Sequence, residues 1–249
     1  MNDTPHPSQQ PDARGPNTFG TGGERPPREP VFNLPTGILV ALGLLVVIYA
    51  VQSLLMSPTL EESFVVNFGF SPARYVYPLS EQGLEWFWSP VTYSLLHGSI
   101  EHIVFNGLWL AAFGTPVYRR IGATRFVVFW ILSSIASAAL HAALNWGEPS
   151  LMIGASGVVS ALMGSACRFA FGGPERHARL FPGGKVPRLS IAQALQERTV
   201  LVFTAAWLFG NLAIAFGLPL FGDMSAQIAW DAHIGGFLFG FLFFGAFDR

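Results

Sequence analysis

The stretch Thr36–Met56, TGILVALGLLVVIYAVQSLLM, carries no charged side chain over its whole length. Hydrocarbon about 30 Å thick is crossed by about 20 apolar residues rising about 1.5 Å each, so a run of this kind reads as a membrane span. Five further stretches repeat the pattern, at roughly Val91–Val117, Arg125–Leu144, Gly154–Gly172, Thr199–Leu218 and Gln227–Phe247. Charged residues make up 12% of the 249, half of the roughly 25% usual in a soluble domain. The expected fold is therefore an all-α membrane protein with a bundle of six transmembrane helices. A net charge of −1 excludes a basic nucleic-acid binder, and a single cysteine, Cys167, excludes a disulfide-stapled module.

The first 35 residues are of different material, rich in Pro, Gly and polar side chains, and read as a disordered tail. They do not read as a signal peptide, because the first apolar run starts too late and is too long. Residues 36–249 then form the membrane domain. Charge sets its orientation. With the N-terminus cytoplasmic and six spans, every Lys and Arg except Arg74 falls in the tail, in the loops near 118–125 and 168–198, or at the C-terminus. That segregation predicts an N-in, C-in, multi-pass protein of the cell membrane. The segment 57–90 is then external, with Trp86, Phe87 and Trp88 as interfacial anchors.

Polar groups inside spans are costly and mark functional candidates. The fourth span opens MIGASGVVSALMG, with Ser156 between Ala155 and Gly157; the sixth opens AWDAHIGGFLFGF, with His233 near its outer end. Both spans run from outside to inside, so the two groups enter from the same side. Gly157, Ala161 and Gly164 form one stripe of small residues, and Gly236 and Gly240 another, which allows two backbones to approach closely. Taken alone, the first motif reads as helix packing, and His233 reads equally as a buried hydrogen-bonded imidazole. Asp231, two positions from His233, faces elsewhere on a helix. The second span contains LLHGSIEHIVFNGLWL. His102 and Asn106 lie one turn apart on one face and could bind a developing oxyanion, or simply hydrogen-bond between helices. On a continuous helix His97 and His102, five apart, point to different faces. With Glu101 they spell H-x-x-x-E-H, one residue longer than an inverted zincin motif, so no metal is expected.

Together, His97-Gly-Ser-Ile-Glu-His102-Ile-Val-Phe-Asn106, Gly154-Ala155-Ser156-Gly157 and Ala232-His233-Ile-Gly-Gly236-Phe-Leu-Phe-Gly240 resemble the rhomboid intramembrane serine proteases in residues, order and spacing. The resemblance implies a cofactor-free Ser156–His233 dyad. It implies oxyanion stabilisation by His102 and Asn106, and a structural role near the site for His97, Gly154, Gly157, Gly236 and Gly240. It further implies transmembrane protein substrates and, for a bacterial chain, the inner membrane. The family often places Tyr four residues after the nucleophile, where this chain has Ser160, and Trp-Arg in the outer loop, where it has Trp88-Ser89. Two other classes stay open: an inactive rhomboid-like protein that binds membrane helices without cutting, and a transporter using His and Asp as a proton relay.

Overall fold

Ten α-helices can be followed in the computed structural model, which describes residues 1, 33–171, 186–216 and 228–248. Nearly all of the expected tail and the middle of the loop near 168–198 lie outside the described residues.

Helix α1, Thr36–Leu55, ends just before Ser57-Pro58, where the proline ring disfavours helical backbone in the residue before it. Ser57 then caps α2, Pro58–Phe68, accepting from Leu60 N at 3.4 Å, with Pro58 in the first turn. Two short 3₁₀ turns lead to α3, Glu85–Thr92. Helix α4, Ile100–Trp109, is capped by Ser99, whose Oγ accepts from His102 N at 3.1 Å, and Glu101 adds an acidic residue to its first turn. A π turn over Leu110–Gly114 carries the chain into α5, Thr115–Ile121. Gly122, at φ 78°, turns it into α6, Ala123–Leu144. Beyond lie α7, Ser156–Ala166, the single turn α8, Ile191–Ala194, then α9, Arg198–Ala215, and α10, Trp230–Phe243.

Helices α1 and α6 are long and apolar enough to cross a membrane; α7, α9 and α10 are shorter apolar helices. α1 also leaves Val40, Leu54 and Leu55 exposed, a face suited to lipid. Three of the expected spans prove shorter as helices than as apolar runs. Val91–Val117 is broken by a 3₁₀ turn at Tyr93–Leu95 and by irregular backbone through His97, so its helix begins at Ile100. His97 therefore lies outside the helix, and the expectation that it points away from His102 fails: their rings meet edge to face with centroids 5.0 Å apart. The fourth stretch is helical only over Ser156–Ala166 and passes into turns over residues 167–170, and the sixth is helical over Trp230–Phe243.

At the centre stands α7, buried at every position from Gly157 to Ala166. Against it lies α10. A Cβ placed on Gly236 would overlap the Gly157 carbonyl, one on Gly240 the Ala161 carbonyl, and one on Gly164 the Phe237 carbonyl. The two stripes of small residues therefore meet backbone to backbone, as their spacing anticipates. At the other side α10 presses on α6, where a Cβ on Gly235 would come 2.9 Å from the Leu140 Cβ.

The far ends of these helices are held by cations. Arg168, buried, donates to the Leu189 carbonyl at 2.9 and 3.0 Å and to the Phe241 carbonyl. Arg120 forms a two-pronged pair with Asp248 at 2.8 Å, and Arg188 donates to the Gly245 carbonyl. Cations over the last carbonyls of a helix satisfy acceptors with no intrahelical partner.

Candidate active site

The site is assembled at the opposite end of α7, where the folded segment before α4 meets the helix start. Phe70 and Met152 exchange both backbone hydrogen bonds, at 3.0 and 2.8 Å, and Gly154 N donates to the Tyr93 carbonyl at 2.9 Å. These bonds stretch the chain taut up to Gly154, whose φ of 120° suits glycine alone. Glycine is also needed there for space: a Cβ would stand 2.5 Å from His102 Nε2 and 3.7 Å from Asn106 Nδ2. Ser156 follows as the first residue of α7.

From α10, His233 brings Nε2 to 2.8 Å from Ser156 Oγ. Ser156, His233 and His102 are each partly exposed, while Ala155, Gly157 and Val158 around them are buried. The serine and the imidazole thus meet where both keep some exposure. On α4, His102 and Asn106 converge on Gly154, two residues from Ser156. Asn106 is buried, and its Nδ2 has no acceptor in the protein. A buried amide without an acceptor carries a desolvation cost, and it is available to any oxygen that arrives beside it. His97 is fully buried under His102, with neither ring nitrogen partnered; its carbonyl accepts from Gln52 Nε2 at 3.2 Å. It reaches the site only through His102.

Gly157 is required for close approach, since a Cβ there would lie 2.6 Å from Ser137 Oγ and 3.2 Å from the Tyr93 hydroxyl. Asp231, as expected, turns away from His233. It accepts instead from His141 Nδ1 at 2.8 Å, from Asn145 Nδ2 at 2.5 Å and from Ala232 N at 2.7 Å, tying the end of α6 to the start of α10. Sequence reasoning passed over His141 and Asn145, although a His and an Asn one turn apart at the end of an apolar span were the available signal. It also passed over Asn211, on α9, whose Oδ1 lies 2.7 Å from His233 Nδ1. A lone Asn in the run TVLVFTAAWLFGNLAIAFGL was the visible clue. Among the described residues no three His, Cys, Asp or Glu side chains converge as metal ligands do.

Geometry defines the class first: an apolar helical bundle in which a serine at a helix start and an imidazole from a second helix are hydrogen-bonded, with amide and imidazole donors beside them. Comparison with known proteins supplies the lineage. The Rhomboid domain family model matches residues 85–247, so the chain belongs to the rhomboid family. It is 30% identical over 160 residues to Rhomboid protease GlpG of Yersinia pestis (strain Pestoides F), covering 62% of this chain and 46% of that protein. Rhomboid protease GlpG of Photorhabdus laumondii is 32% identical over 170 residues, covering 67% and 49%. The Serratia proteamaculans protein of the same name is 29% identical over 159 residues, covering 62% and 46%. The chain spans about half the length of the curated relatives it matches.

Proposed function

We propose that the protein is an intramembrane serine endopeptidase that hydrolyses peptide bonds in or near transmembrane segments of other membrane proteins. The observation that carries this reading is the 2.8 Å contact between Ser156 Oγ and His233 Nε2. Ser156 attacks the scissile carbonyl while His233 takes its proton, and the imidazolium then protonates the leaving amine. Water, activated by the same imidazole, releases the acyl group from Ser156. The carbonyl oxygen gains negative charge in both steps. His102 and the unpartnered Nδ2 of Asn106 are the donors assigned to it, and one such donor is typically worth about 3–4 kcal/mol of barrier. No cofactor or metal takes part.

A substrate helix hides its carbonyls in its own hydrogen bonds, so it must unwind at the cut, which favours helix-breaking residues there. In this reading residues 36–249 are the protease domain. Its six spans are α1, the α4–α5 unit, α6, α7, α9 and α10. Both termini and the tail 1–35 are cytoplasmic, and the membrane is a bacterial inner membrane. The charge segregation along the sequence and the names of the relatives support these points. The test uses the full chain in liposomes with a transmembrane reporter. Cleavage is expected, and Ser156→Ala and His233→Ala each abolish it with thermal unfolding unchanged. Cutting retained in Ser156→Ala sinks the assignment; no cutting by the natural chain against a panel of reporters favours a helix-binding protein instead.

A further inference from the structure

Asn211 is an amide in an otherwise apolar helix. It is buried, at 6% exposure, although α9 leaves large apolar side chains such as Val202 and Phe209 exposed at 61% and 68%. A buried amide is costly unless both its ends are satisfied, and here both are. Its Nδ2 donates to the Trp207 carbonyl, one turn back, at 2.9 Å. Its Oδ1 therefore faces His233 Nδ1 at 2.7 Å. The opposite amide orientation sets an oxygen against the Trp207 carbonyl, two acceptors face to face, and is disfavoured.

That orientation has a consequence for the imidazole. An amide oxygen only accepts, so Nδ1 of His233 must carry a proton. In the neutral ring Nε2 then holds the lone pair, and Nε2 is the atom 2.8 Å from Ser156 Oγ. The protons run one way along the network, from the Ser156 hydroxyl to His233 Nε2, from His233 Nδ1 to Asn211 Oδ1, and from Asn211 Nδ2 to the Trp207 carbonyl. We infer that Asn211 is a positioning residue that holds His233 in the one tautomer able to take the proton of Ser156, so that the site works as a Ser–His–Asn array whose three members come from three different helices. The inference rests on the proposed roles of Ser156 and His233. Being uncharged, the amide orients the ring and receives its Nδ1 proton without removing it. Ser160, one turn on from Ser156, has no ring with which to share the task.

Two variants of the full chain in liposomes test it. Asn211→Leu keeps the volume and loses the acceptor; Asn211→Asp keeps an acceptor at Oδ. Labelling of Ser156 by a fluorophosphonate reports its nucleophilicity without needing a transmembrane substrate to enter. In Asn211→Leu, kcat and the labelling rate are expected to fall together by about 100-fold, at the low end of what general-base assistance contributes, while KM is nearly unchanged. Asn211→Asp is expected to recover most of that loss. In the natural chain the ¹⁵N spectrum of His233 should show a protonated Nδ1 and a bare Nε2, and in Asn211→Leu a share of the reverse tautomer. Full labelling and cleavage in Asn211→Leu would falsify the proposal, as would Asp performing no better than Leu, or Nε2–H as the main form in the natural chain. The last readout needs neither turnover nor a folded Leu variant. Absence of Ser156 labelling in the natural chain, by contrast, removes the protease reading while the ¹⁵N spectrum still decides the hold of Asn211 on the ring.

Discussion

Helices α7 and α10 meet through their backbones, whereas α9 meets α10 through side chains. Between α7 and α10 glycines face carbonyls, at Gly236 against Gly157 and at Gly240 against Ala161. No flexible group lies between them, so the separation of Ser156 and His233, one on each helix, is held by the closest packing in the bundle. From α9 come Asn211 and Trp207, whose ring stacks on Phe237 at 4.4 Å between centroids, while its other face carries exposed Phe209. Close glycine contact fixes a distance to fractions of an ångström; side-chain contact fixes a direction and tolerates adjustment. The reacting atoms use the first and the orientation of the base uses the second.

Breaking the glycine contact should have the largest effect. Gly236→Val forces a side chain into the Gly157 carbonyl, so α7 and α10 must part; a loss of about 3 kcal/mol, at the upper end of overpacking costs, is expected together with loss of cleavage. Denaturant unfolding in detergent measures the first and reporter cleavage the second; near-normal values of both would show that the helices have room the structure denies them. Next comes the clasp between the end of α6 and the start of α10. Asp231→Ala removes the carboxylate partner of the buried His141 Nδ1, while Asn145 Nδ2 keeps the His141 carbonyl, and about 2 kcal/mol should be lost, as when one partner of a charge-assisted buried bond is removed. Unchanged unfolding in that variant would mean the clasp contributes nothing. Phe209→Ala, on the exposed face of α9, should be the smallest: a stability change within about 0.5 kcal/mol and cleavage near that of the natural chain. A large loss there would show that α9 is held through this face after all, and would erase the contrast between the two helix pairs.

The legible part of the fold was the part written in short-range pattern. Apolar runs announced α1 and α6 almost to the residue, because a helix with no better use for its side chains extends until a proline or glycine stops it. Small-residue spacing announced the α7–α10 contact for the same reason: residues four apart share a face whatever surrounds them. Ser156, His233, His102 and Asn106 were readable as polar groups in costly places. Misjudged were His97, assigned to a helix that starts three residues later, and the ends of the second, fourth and sixth runs. There hydropathy cannot see that the backbone spends its hydrogen bonds on a loop, such as Gly154 N on the Tyr93 carbonyl.

The order of residues along the chain therefore settles the helical class, the membrane setting and the candidates for chemistry, since each follows from a local preference for apolar, small or polar surroundings. It does not say which atoms meet. That Nε2 of His233 faces Ser156, that Nδ1 faces Asn211, and that Asp231 belongs to His141 depend on how helices far apart in sequence cross and rotate. Those angles come from packing summed over the whole bundle, a long-range quantity that no window of sequence contains.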